Sequence, residues 1–108
     1  MEKRRVVVTG LGAISAIGHN VKENWQGIKE GRNGIAPITL FDATNFKTKL
    51  AAEVKDFDVT QFLDKKEAKK MDRFIQFGLI AANEAVKDSG LDTQTIDQDR
   101  FGVVVSSG

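Results

Sequence analysis

Cysteine and tyrosine are missing from these 108 residues, and proline, tryptophan and histidine occur once each. The charges nearly cancel, with 16 Lys and Arg against 15 Asp and Glu. Each shortage excludes something. Without cysteine the stretch holds no disulfide, no thiolate metal site and no thiol nucleophile, and its redox compartment cannot be read from thiols. A net charge of +1 is far from the basic surplus of a dedicated nucleic-acid binder. No apolar run approaches the roughly 20 residues of a membrane span. With 41% hydrophobic and 29% charged residues the composition is globular, and the length suits one domain.

The N-terminus, "MEKRRVVVTGLGAISAIG", imitates a secretion signal, basic and then apolar. Thr9, Ser15 and three glycines interrupt it, and Val6 to Val8 favour a strand over the helix of such signals. A cytoplasmic location is expected. The stretch also imitates a phosphate loop, since Gly10 and Gly12 follow an apolar run. Ser15, however, stands where a dinucleotide fingerprint has its third glycine, and "KEGRNG" occupies the place of its acidic strand tip. The Gly-Lys-Ser/Thr of a P-loop is absent. Gly10 and Gly12 are read instead as supplying unusual backbone angles or close packing in a strand-to-loop turn. No cofactor and no metal is expected.

Residues 4–9 read as a strand covered on both faces. Asn20 with Glu23 resembles a capping box, Val21, Trp25 and Ile28 keep helical spacing, and Gly31 closes that helix. Residues 32–47, containing Pro37, read as a loop. Leu50, Ala52 and Val54 alternate in "TKLAAEVKDF", the pattern of a second strand, and Asp58 caps a short turn through Leu63. The clearest element is "DKKEAKKMDRFIQFGLIAANEAVKDSG", read as one helix from the Asp64–Glu67 box to Gly90. Its apolar face carries Met71, Phe74, Ile75, Gly78, Leu79, Ala82, Ala85 and Val86. The small Gly78, Ala81 and Ala82 allow another element to approach closely. "RFGVVVSSG" repeats the opening strand pattern. The order β-α-β-α-β predicts an α/β fold with a mainly parallel sheet and right-handed crossovers. Two helices can hardly cover three buried strands, so a larger fold is expected.

"RRVVVTGLGAISAIG", "KKMDRFIQFGLIAANEAVKDSGL" and "GVVVSSG", in that order, closely resemble the N-terminus of the β-ketoacyl-acyl carrier protein synthases, most of all type II. The likeness spans essentially residues 1–108, and intact members are several-fold longer. The resemblance implies a thiolase-like layered α/β/α sandwich, of which this stretch supplies most of the first half. It further implies a cytosolic homodimer that uses acyl- and malonyl-loaded acyl carrier protein in fatty-acid synthesis, with no nucleic-acid or membrane partner. The implied reaction is a decarboxylative Claisen condensation: a cysteine holds the acyl chain as a thioester, and two histidines assist loss of carbon dioxide. A thiolate is nucleophilic once a helix N-terminus lowers its pKa, and neutral imidazoles suit a developing oxyanion.

None of those three residues is present, so no catalytic residue is assigned and the 108 residues alone are expected to be inactive. His19 reads as a pre-cap loop residue, because a lone imidazole lacks partners here. Ser106 and Ser107 are not in a G-x-S-x-G turn and have no base with an orienting acid. The resemblance places them in the wall of the acyl pocket, where relatives often have Gly-Ser-Gly. What the chain does carry is a basic arc. On one continuous helix, Lys65, Lys66, Lys69, Lys70 and Arg73 sweep about 140°, and Glu67 and Asp72 fall outside it. The alternative is an ordinary solvated face, but lysines near a helix N-terminus oppose the macrodipole, a small cost that favours a functional reason. The resemblance assigns Lys66, Lys69 and Lys70 to contacts with the acidic carrier protein; Ala68 stands where relatives are often polar or basic. The contrasting reading is a non-catalytic α/β module that binds an acidic protein or a nucleotide.

Overall fold

The first helix begins and ends on the caps written in the chain. In the computed structural model, which describes residues 2–108, helix α1 runs over Val21–Glu30. Asn20 Oδ1 accepts the Glu23 N–H at 2.8 Å, and the Glu23 carboxylate reaches back to the His19 N–H at 2.7 Å. The box therefore closes one residue earlier than the usual reciprocal pair. Gly31 ends the helix with φ 65°, a left-handed conformation that glycine adopts without a Cβ penalty. Gly27 is the buried residue of α1, while Trp25 is 59% exposed and Ile28 60%.

The sheet departs from expectation. Its strands are β1 (Ala36–Pro37) and β2 (Leu50–Ala51), paired antiparallel with Ala36 opposite Ala51. β1 falls in the expected loop, and its partner is the expected second strand. The alternation there is also inverted. Leu50 and Ala52 face out, while Glu53 is only 9% exposed. The physical reason is polar satisfaction: the Glu53 carboxylate accepts the N–H and hydroxyl of Thr39, each at 3.0 Å, and the Leu40 N–H at 3.1 Å.

Residues 4–9 and 101–105 are the larger correction. Neither run joins a ladder among the described residues, and Val6 is 93% and Val104 96% exposed. A strand is defined by its paired neighbour, and these runs have none among the described residues. No parallel sheet forms within these residues. The radius of gyration of 17.5 Å exceeds the roughly 13 Å of a compact domain this long.

The glycine loop finds its cover on helix α3 (Arg73–Ser89). A Cβ at Gly10 would lie 2.2 Å from the Ala85 carbonyl oxygen, and one at Gly12 would lie 1.8 Å from that of Ala81. Neither glycine has positive φ, so close packing is the property used. Leu11 N–H donates to Asp88 Oδ2 at 3.0 Å, and the Glu84 carboxylate accepts the N–H groups of Ala13 and Val21 at 3.0 and 3.1 Å. Among the described residues no helix is long and apolar enough to cross a membrane.

The expected single helix from Asp64 to Gly90 is two. Helix α2 covers Lys65–Ala68, and α3 starts at Arg73. Asp72 lies between them in an extended conformation, φ −65° and ψ 157°, with its carbonyl accepting the N–H groups of Ile75 and Gln76. Apolar spacing carried in phase across the break conceals it in the sequence. The stop at Gly90 is as expected, with φ 68°.

Candidate functional site

The basic segment sits on a small scaffold of capped turns and aromatic rings. Asp58 caps a 3-10 turn over Val59–Gln61. The Thr60 hydroxyl and then its N–H bond the Asp58 carboxylate, which lowers its pKa from the ordinary value. Helix α2 packs against this turn. Asp64 caps α2 by accepting the N–H groups of Lys66 and Glu67 at 3.2 and 3.3 Å. Ala68, which has no polar head to keep in water, is the buried residue of α2 at 3% exposure. Phe57 stacks on Phe62 at 5.5 Å and meets Phe77 edge-on at 5.4 Å, linking the turn beneath α2 to α3.

Lys65, Lys66, Lys69 and Lys70 are all exposed on this scaffold. The break redistributes them. Lys65 and Lys66 lie in α2, Lys69 and Lys70 in the turn after it, and Arg73 opens α3, so a single helical arc does not exist. The arc is also partly neutralised, contrary to expectation, because Lys70 Nζ lies 3.5 Å from Glu67 Oε1. Both side chains are largely in water, so that pair contributes little. Among the described residues no carboxylate pairs with Lys65, Lys66 or Lys69.

Arg73 is differently placed from the lysines. Its guanidinium donates to the Val54 carbonyl and lies 5.1 Å from the centre of the Phe77 ring. Gln76 was not singled out by spacing, yet its amide donates to the carbonyls of Ala68 at 2.9 Å and Met71 at 3.4 Å. Asp72 was the available signal: an aspartate inside a helical pattern competes for backbone bonds and favours an N-terminal position. Glu84 was likewise missed, since a carboxylate serving a distant loop leaves no local pattern.

His19 is where a pre-cap residue should be. Its Nε2 is 2.8 Å from the Lys55 carbonyl oxygen, and its ring meets Phe57 edge-on at 5.2 Å. Ser106 and Ser107 lie exposed in the last irregular run.

A family model described as the N-terminal domain of beta-ketoacyl synthase matches residues 3–108. The "3-oxoacyl-[acyl-carrier-protein] synthase 2" of a Synechocystis strain is 53% identical over 108 residues, covering 100% of this chain and 26% of that protein. The protein of the same name from a Staphylococcus aureus strain is 47% identical over 107 residues, covering 99% and 26%. The chain thus spans about a quarter of the length of the curated relatives it matches. A solved structure titled "The ishigamide ketosynthase/chain length factor" superimposes with a TM-score of 0.76 at 41% identity, covering 86% of this chain and 23% of that one. With residues 3–108 inside one domain family and the backbone shared with a ketosynthase, the chain belongs to the β-ketoacyl synthase family, within its N-terminal domain.

Proposed function

We propose that the chain is the opening section of a condensing enzyme, an acyltransferase of fatty-acid synthesis that extends acyl chains held on acyl carrier protein. The observation that carries this reading is the family match over residues 3–108, joined by synthases of that name at 53% and 47% identity. In this reading Val6–Val8 and Val103–Val105 become strands of the mainly parallel sheet of a thiolase-like layered sandwich, paired with chain outside these residues. The enzyme is a cytoplasmic homodimer.

The reaction joins an acyl group, held as a cysteine thioester, to the enolate left when malonyl-carrier protein loses carbon dioxide. A carbon–carbon bond forms at the acyl carbonyl, and the cysteine thiolate departs. That cysteine and the two assisting histidines lie outside these 108 residues, which hold no cysteine and only His19. The contribution of this section is docking. Lys65, Lys66, Lys69 and Lys70 present positive charge to an acidic carrier protein, steering its approach and fixing its orientation. Their exposure and, among the described residues, the lack of paired acids at three of them support this role.

The full-length protein incubated with acyl- and malonyl-carrier protein should release carbon dioxide and yield 3-oxoacyl-carrier product; no product from active substrates would overturn the reading. The verified 108-residue chain should yield none. Reversing Lys66, Lys69 and Lys70 to Glu in the full-length enzyme should raise the KM for carrier-linked substrate several-fold or more. Exposed charge pairs contribute about 0.2–1 kcal/mol apiece. Association should become slower and less salt-sensitive, while small thioesters turn over unchanged. Equal losses with both substrates would make the lysines structural, and no loss with either would place the docking site elsewhere.

A further inference from the structure

The bend between α2 and α3 is held by two side chains that no carrier contact requires. Arg73 occupies the first position of α3, where a cation opposes the helix macrodipole. Its charge is engaged by the Val54 carbonyl and the face of Phe77. Phe77 in turn meets Phe57, and Phe57 stacks on Phe62 at the end of the 3-10 turn that supports α2. Gln76 spans the break from the other side, donating to the carbonyls of Ala68 and Met71 that the interrupted helix leaves without their regular partners. Those carbonyls belong to the segment that carries Lys69 and Lys70.

We propose that Arg73 and Gln76 are positioning residues that together fix the α2–α3 bend, and through it the direction in which Lys65, Lys66, Lys69 and Lys70 face an acidic partner. This deepens the docking role proposed above and rests on it. Arg73 then acts by shape and not by charge toward the carrier. A lysine in its place keeps the charge but has neither the flat face that lies over Phe77 nor the fork that reaches Val54 at the same time.

The test uses the full-length enzyme with Arg73→Lys and Gln76→Met, read in two ways. Without carrier, hydrogen exchange at the amides of Ala68, Lys69, Lys70 and Met71, all bonded within α2 and the turn that follows it, should quicken at least several-fold in both variants. With carrier-linked substrate the KM should rise about threefold to tenfold, the size of one net hydrogen bond. The kcat and the turnover of small thioesters should stay the same. Unchanged exchange overturns the proposal. So does an Arg73→Lys variant with wild-type KM, since that is the result for a direct charge contact. Faster exchange with unchanged KM overturns it too, provided that reversal of Lys66, Lys69 and Lys70 raises KM in the same assay. If that triple reversal has no effect, the docking surface itself fails, and the exchange rates alone decide whether Arg73 and Gln76 hold the bend.

Discussion

Helix α3 has two faces of opposite fate. Ala81, Glu84, Ala85 and Asp88 lie against the glycine loop, backbone on backbone, with both carboxylates taking loop N–H groups. Phe74, Ile75, Leu79 and Val86 carry far more apolar surface, yet all are exposed, Phe74 at 64%. By area alone the second face is the better core. The first is covered because missing side chains at Gly10 and Gly12 let two backbones meet, and because Glu84 and Asp88 satisfy groups that no strand or helix serves. Within these residues, fit and polar satisfaction decide contact, and the richest apolar stripe remains unpartnered.

The covered face is most vulnerable at Gly12. Valine there drives a branched side chain into the Ala81 carbonyl, and the nearest obstacle is helix backbone that cannot turn aside. Gly12→Val in the full-length protein should cost about 3 kcal/mol or more, read as a fall in the urea midpoint; an unmoved midpoint would mean that the loop does not rest on α3. Glu84→Ala comes next. It leaves the partly buried N–H groups of Ala13 and Val21 without an acceptor, at a cost of about 2 kcal/mol. Wild-type stability in that variant would show that area, and not polar satisfaction, holds the covered face.

Acid offers a milder probe of the same idea at Glu53. Burial pushes its carboxyl up, but the bonds from Thr39 and Leu40 and the nearby Lys55 charge outweigh that, and its pKa is lowered. A lowered folded pKa means that the unfolded chain binds the proton first as pH falls. Stability is therefore present above the ordinary glutamate value of about 4.3 and is lost as pH drops through the lower folded value. Glu53→Gln should flatten that acid limb in a pH series of unfolding curves, and an unchanged limb would remove Glu53 from the account. The smallest effect on stability belongs to the uncovered face. Phe74→Ser with Leu79→Ser should reduce self-association of the 108-residue chain in sedimentation experiments, since exposed apolar stripes drive such contacts. A monomeric parent chain would show that the stripe needs no cover.

Capping chemistry was legible because it is local: Asn20, Gly31, Asp58, Asp64 and Gly90 act on backbone groups within four residues, and each does as expected. The close packing of Gly10 and Gly12 was legible too, as an alternative to a phosphate loop. The bend at Asp72 was masked, because apolar positions keep their phase across it and outweigh the one local signal, Asp72 itself. The candidate site was half legible. Its lysines could be listed from the sequence, but the removal of Arg73 to Val54 and Phe77 depends on a carbonyl nineteen residues away.

By itself the sequence determined the capped ends at Asn20, Gly31, Asp64 and Gly90, the absence of cysteine and of any histidine but His19, and membership in the β-ketoacyl synthase family. These rest on residue identities and short-range backbone bonds, which need no distant partner. Only the tertiary structure decided which face of α3 is covered, that Glu53 turns inward, and that of the exposed basic residues Arg73 alone is tethered to Val54 and Phe77. Each of those outcomes depends on which groups meet across long stretches of chain, where one unsatisfied N–H or one clashing Cβ outweighs a pattern of apolar spacing.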